Sequence, residues 1–205
     1  MAKVKLAVIY YSSTGGNYQM AQWAAEGARD AGAEVKLLRI KENAPPQAID
    51  ANPAWKANVV ATKDVPEATL EDLEWADSFI FSTPTRYGSA PSQVQQFFDM
   101  TGELWLNGKL TNKVVSTMSS AMNPHGGQEA TTLSVNNTMM HWGCILVPPG
   151  YTDPATFGGG GNPYGTSTSI DMEGNIKDDI KPAVIHQAKR TVQVAGWVKA
   201  GMEGG

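Results

Sequence analysis

With 205 residues, 41% of them hydrophobic, the chain can bury one sizeable core and is short for two, so a single domain over residues 1–205 is expected. Sixteen basic and 20 acidic residues give a formal net charge of -4 and a pI near 5.4, with no basic run to neutralise phosphates, which sets nucleic acid aside as a partner. The single cysteine, Cys144, excludes an intrachain disulfide and leaves no Cys/His spacing for a metal, so a reducing cytoplasm is the expected location.

Val4 to Tyr11 is apolar on both faces, the pattern of a central parallel strand covered by helices. It is too short for a signal segment, and nothing later approaches the ~18 apolar residues of a membrane span, so no membrane partner is expected. After a turn at Ser12 to Gly16, the spacing of Ala21, Ala24, Ala25 and Ala28 predicts a helix that stops at Gly32. Glu34 to Ile40 reads as a second strand. The following stretch, with Pro45, Pro46, Pro53 and Pro66, reads as a surface excursion holding little regular structure.

Ser78 to Thr83 reads as strand three, Pro91 to Thr101 as a helix, Lys113 to Ser119 as strand four, Gln128 to His141 as a helix and Cys144 to Val147 as strand five. A closing amphipathic helix over Asp178 to Ala200 aligns Ile185, Ala188, Val192, Ala195 and Val198. Alternating strands and helices predict an α/β fold: a doubly wound, five-stranded parallel sheet with helices on both faces.

Ser12, Ser13, Thr14, Gly15, Gly16 and Asn17 fall between the buried first strand and the first helix. There, free backbone N–H groups and the helix dipole favour an anion, and glycine admits close approach. The turn has no lysine or arginine and neither GxxxxGK[ST] nor GxGxxG, which disfavours an NTPase and a dinucleotide fold built on this loop; a phosphate monoester fits better. Taken alone, the same residues would also serve as a tight turn and helix cap. A receiver-type signalling domain would need acidic residues where this chain has Tyr10, Tyr11 and Ser12.

Strand three runs into Thr85, Arg86, Tyr87 and Gly88, and strand four into Ser119, Ser120, Ala121, Met122, Asn123, Pro124 and His125. In an open parallel sheet these loops converge with the first on the crevice at the switch point, where flavodoxin holds flavin mononucleotide (FMN). Tyr87 can offer a ring face and Arg86 a cation for an anionic reduced flavin, although a surface ion pair is an equal reading of Arg86.

Together, Tyr10 to Gly15, Thr83 to Gly88, Thr101 to Gly108, Ser119 to Glu129, Val147 to Tyr151 and Gly160 to Gly165 make the chain resemble the WrbA family of flavodoxin-like NAD(P)H:quinone oxidoreductases over nearly its full length. The resemblance implies a flavodoxin-like sheet of order 2-1-3-4-5, FMN phosphate on Ser12 to Asn17, the flavin ring beside Thr85, Arg86 and Tyr87, and further contacts from Ser119 to Pro124 and from His141. It also implies Trp105 as a wall of the quinone and nicotinamide pocket, and a homotetramer that joins walls from different subunits. Two departures are visible. Thr14 stands where members often carry an aromatic residue against the dinucleotide, and the Ala121 to His125 loop replaces threonine and glycine residues in a loop one position shorter.

Several residues keep a second reading. His141 could simply cap its helix, Trp105 reads as an exposed interface or ligand wall in a loop, and Gly158 to Gly161 reads as a flexible loop or a flap over the ring. Cys144 reads as core, and no metal is assigned. The implied activity is two-electron transfer from NAD(P)H to quinones through FMN. A flavodoxin-type electron shuttle is the second reading, and an interaction protein without redox function the third.

Overall fold

The structure, a computed structural model, describes residues 3–204. In chain order the elements are β1 (Lys5–Tyr10), α1 (Gly16–Asp30), β2 (Glu34–Arg39), α2 (Pro46–Asp50), α3 (Pro53–Ala61), α4 (Leu70–Trp75), β3 (Ser78–Pro84), α5 (Ser92–Asp99), α6 (Gly102–Leu106), β4 (Val114–Ala121), α7 (Gln128–His141), β5 (Ile145–Leu146), α8 (Ala155–Gly158), β6 (Ser167–Ser169) and α9 (Lys181–Glu203). The sheet order β2-β1-β3-β4-β5 is the expected one, and its pairings are parallel.

Strand side chains point alternately to the two faces, and both faces are buried. Leu6, Val8 and Tyr10 pack with Met20, Ala24 and Ala28 of α1 and with Val184, Ala188 and Val192 of α9. Ala7, Ile9 and Tyr11 pack on the other side with Leu73, Val94, Phe98, Val135 and Met139 from α4, α5 and α7. On that side Phe98 meets Phe81 edge-on at 5.4 Å and Trp142 at 5.5 Å, fixing α5 against the sheet. The double cover explains why β1 and β3 are buried along almost their whole length.

Two expectations need correction. The proline-containing stretch after β2 is largely helical, because Pro46 and Pro53 occupy first-turn positions, where a missing N–H does no harm. Asn52 caps α3 by accepting from Trp55 N–H, and Thr69 and Asp72 form a capping box for α4. A sixth strand, β6, also joins the sheet, pairing Ser167–Ser169 with Ser119–Ala121. It carries β4 two residues past the expected end at Ser119.

Gln187 secures this added edge. Fully buried on α9, its amide donates to Ser116 Oγ at 2.6 Å and Thr117 O at 2.9 Å, and its carbonyl accepts from Thr166 N–H at 2.7 Å. One side chain thus satisfies polar groups from β4 and from the approach to β6 that would otherwise be orphaned in the core.

Candidate functional site

At the carboxyl edge of β1 the backbone turns through Ser12 to Gly15 into α1. Gly15 occupies the N-cap position at φ +105°, a conformation that L side chains resist. No side chain caps this helix, and its first turn contains no acidic residue. The N–H of Gln19 bonds to Gly15 O, so the N–H groups of Gly16, Asn17 and Tyr18 precede the first intrahelical bond and lack a helical acceptor. The dipole end is therefore open to an outside anion. Ser12 Oγ accepts from Gly15 N–H at 2.9 Å, and Asn58 of α3 donates to Ser12 O at 2.8 Å, holding the turn in shape.

Asn17 performs a different task from its neighbours. It is buried, donating through Nδ2 to Ser82 Oγ at 3.1 Å and accepting at Oδ1 from Ser120 Oγ at 2.6 Å. Its side chain ties the start of α1 to the ends of β3 and β4, which leaves only its backbone N–H for a ligand. Ser119 and Ser120 are likewise sealed in the sheet at 0% exposure, because β4 extends through them; they support the edge and do not line it. Ala121 is buried too, whereas Met122 is 57% exposed at the rim, and the following turn closes as His125 N–H donates to Asn123 Oδ1.

The loop after β3 is a tight reversal in which Arg86 and Ser89 exchange both backbone hydrogen bonds. Tyr87, at its tip, has φ 53° and a fully exposed ring. A non-glycine residue in that region stores strain and marks a candidate functional position. Beneath it, Thr85 Oγ1 receives Thr131 Oγ1 at 2.6 Å and Gly88 N–H at 3.2 Å, joining the loop to α7. Arg86 reaches back to donate to Thr85 O at 2.9 Å and Ser13 Oγ at 3.1 Å. Among the described residues it has no carboxylate partner, so its charge stands at the phosphate-type turn and the surface ion-pair reading falls away.

Across this edge Glu42 anchors the excursion after β2, accepting from Tyr11 Oη at 3.0 Å and from Trp55 Nε1 and Gln93 Nε2 at 2.8 Å. Burial opposes its charge, yet these bonds and one from Ala44 N–H hold its carboxyl below the usual range. Burial, and then the Glu42 charge, push the Tyr11 phenol far upward, so it remains a neutral donor. Cys144 is no nucleophile: burial pushes its thiol up to about 12.

Trp105 and His141 lie elsewhere. Trp105 belongs to α6, not to a loop, and its Nε1 donates to His141 O at 2.8 Å. His141 ends α7, which spans about 20 Å from its start beside the β3 loop. The pair therefore sits toward the opposite edge of the sheet, and one chain does not bring either residue to the turn. The Gly158 to Gly161 segment faces the loop after β4 across a groove of about 550 Å³ lined by His125, Gln128, Gly160 and Asn162.

The sequence profile of the family described as NADPH-dependent FMN reductase matches residues 4–154. The chain belongs to that family. Among the relatives of this FMN reductase-family protein, the NAD(P)H dehydrogenase (quinone) of Deinococcus radiodurans is 53% identical over 193 residues, covering 94% of this chain and 96% of that protein. The protein of the same name from Aromatoleum aromaticum is 42% identical over 177 residues, covering 84% and 85%. Among solved structures, a flavodoxin, WrbA-like protein from Agrobacterium tumefaciens superposes with a TM-score of 0.67 at 20% identity, covering 95% of this chain and 99% of that one. Megasphaera elsdenii flavodoxin gives 0.55 at 17%, covering 92% and 98%. These two share the fold.

The FMN reductase-family chain presents the features a flavin phosphate requires: an uncapped helix end, a positive-φ glycine and adjacent hydroxyls, and beside them the Arg86 guanidinium, which has no carboxylate partner among the described residues. Exposed Tyr87 and Met122, on the loops after β3 and β4, put apolar surface at this edge of the sheet, of the kind a flat ring needs. Sequence reasoning missed Asn58, Ser82 and Thr131, which hold the loops in place. Only Asn58 carried a signal, through the Asn52-Pro53 start of its helix.

Proposed function

We propose that the chain is an FMN-dependent NAD(P)H dehydrogenase that delivers two electrons to quinones. The observation that carries this reading is the uncapped α1 terminus with Arg86 clasped to Ser13, in a chain 53% identical to an NAD(P)H dehydrogenase (quinone). Bound there, FMN supplies reversible two-electron chemistry between a nicotinamide and a quinone. The N–H groups of Gly16, Asn17 and Tyr18 and the hydroxyls of Ser12, Ser13 and Thr14 hold the phosphate. Arg86, bonded to Ser13 Oγ, would set its positive charge where the phosphate turn meets the ring, and Tyr87 would wall the ring. Thr14 meets the dinucleotide. No acid–base pair is required of the protein, in keeping with a buried Tyr11 and a half-buried Cys144 whose proton affinities are both pushed upward by burial.

Because α7 holds His141 and Trp105 away from their own turn, we propose that they complete the flavin site of another copy, within a homotetramer. Trp105 is 54% exposed and Leu106 76%, an apolar surface suited to such a contact. The single cysteine suits a reducing cytoplasm. Among the described residues no helix is long and apolar enough to cross a membrane.

Purified protein loaded with FMN is expected to bleach with NADH or NADPH and to recover its colour with benzoquinone. In steady state, one crevice serving both substrates in turn should give parallel double-reciprocal lines. Intersecting lines would reject the shared crevice, and bleaching without quinone turnover would favour the electron shuttle.

A further inference from the structure

Between β6 and α9 the chain makes a strap that lies over the outer side of the phosphate turn. Ile170 and Ile176 form an antiparallel bridge, and Asp171 closes the tip by accepting from Asn175 N–H at 2.8 Å and Asn175 Nδ2 at 2.9 Å. At the tip Gly174 has φ +90°, and a Cβ there would stand 1.9 Å from Thr14 O, so strap and turn are in backbone contact. The strap is thus held in register with the flavin phosphate site. Beside the contact opens a cavity of about 410 Å³ lined by Thr14, Gln19, Trp23, Glu173 and Asn175 among others.

We infer that this cavity receives the adenosine end of the nicotinamide dinucleotide, and that Glu173 makes the enzyme select NADH over NADPH. The inference rests on the proposed function, since it assigns the far end of that enzyme's donor. Thr14 belongs to both the turn and the cavity, so a dinucleotide whose nicotinamide reaches the ring can extend past Thr14 into it. Thr14 offers no aromatic face, but the half-buried Trp23 indole does, and a purine stacks on such a surface. The Gln19 amide and the side-chain carbonyl of Asn175 offer polar contacts to a ribose.

Charge decides the rest. Among the described residues that line the cavity, Glu173 alone is charged, and it is exposed to incoming ligand. A carboxylate accepts hydrogen bonds from the 2′- and 3′-hydroxyls of an adenosine ribose, as acidic residues do in NAD-specific sites. It repels a 2′-phosphate, which would enter with no cation from the lining to meet it. Lys181, at the start of α9, is already paired with Glu26 of α1 at 2.9 Å.

The test is calorimetric binding of ADP-ribose and of its 2′-phosphate to the FMN-loaded protein, alongside kcat/KM for NADH and NADPH with benzoquinone. Wild type is expected to favour ADP-ribose and NADH by about tenfold or more, Glu173→Gln to lose most of that preference and Glu173→Arg to reverse it. Ratios unchanged in both variants would overturn the inference while leaving the proposed function intact. The expected binding ratios in a protein that never reduces quinone would support the cavity assignment and contradict the proposed function. Failure to bind either probe would overturn the cavity assignment whatever the turnover.

Discussion

Replacing Asn17 by leucine is expected to destabilise the protein by about 3–4 kcal/mol, measured by urea unfolding of the flavin-free form. Asn17 is 1% exposed, and its side chain partners both Ser82 Oγ and Ser120 Oγ. Leucine is similar in volume, so a cavity contributes little; the loss comes from Ser120 Oγ, left buried without its partner, and from Ser82 Oγ, which loses the Asn17 amide and keeps only its bond to the residue-17 carbonyl, at about 1–3 kcal/mol each. In a domain of this size that lowers the melting temperature by roughly 10 °C. Because Asn17 also fixes the start of α1 to β3 and β4, FMN affinity should fall with stability. A loss under about 1 kcal/mol would mean that the network is not what holds the three loops together.

The second large effect concerns charge at the turn. Ser12→Asp places a carboxylate where a hydroxyl now accepts from Gly15 N–H, at a helix end that lacks both a side-chain cap and an acidic first turn. The flavin-free protein should gain about 0.3–1 kcal/mol from the dipole. FMN should bind about a hundredfold more weakly, because the carboxylate takes the N–H groups meant for the ester and repels its charge. Ser12→Asn, of the same shape without the charge, should keep most of the affinity. Stability and affinity moving in opposite directions is the signature; a parallel rise or fall of both would contradict an anion site at this turn.

The parts of the site legible in the sequence were those where a residue type has one physical use. Ser12 to Gly16 after an apolar strand reads as a turn with free amides, and the loops after β3 and β4 follow from parallel topology. The apolar run of Val4 to Tyr11, with no alternation, marked β1 as a central strand because that strand is covered on both sides. What stayed hidden depends on contacts distant in sequence. β6 is three polar residues, Ser167–Ser169, with no hydrophobic pattern of its own, and it is a strand only because the end of β4 was left unpaired on that side. Its pairing also turned Ser119 and Ser120 inward, a fate that no local pattern at those positions announces.

Prolines after β2 misled for a different reason. Read as breakers, Pro46 and Pro53 are starters, because each stands in the first turn, where no N–H is needed; Asn52 caps the second helix, while Pro45 precedes the first without a side-chain cap. The placement of Trp105 and His141 followed from helix length, since 14 residues of α7 carry His141 far from the edge where the helix begins. The strap from Ile170 to Ile176 carried no motif, and its importance appears only where Gly174 meets Thr14.

The most direct measurement compares FMN with riboflavin by calorimetric titration of the flavin-free protein, since the two differ only in the phosphate ester. Binding of FMN at least about a hundredfold tighter than riboflavin is expected if the amides at the head of α1 hold a doubly charged group. Equal affinity for the two would contradict it, leaving the turn as a helix start with no ligand of its own.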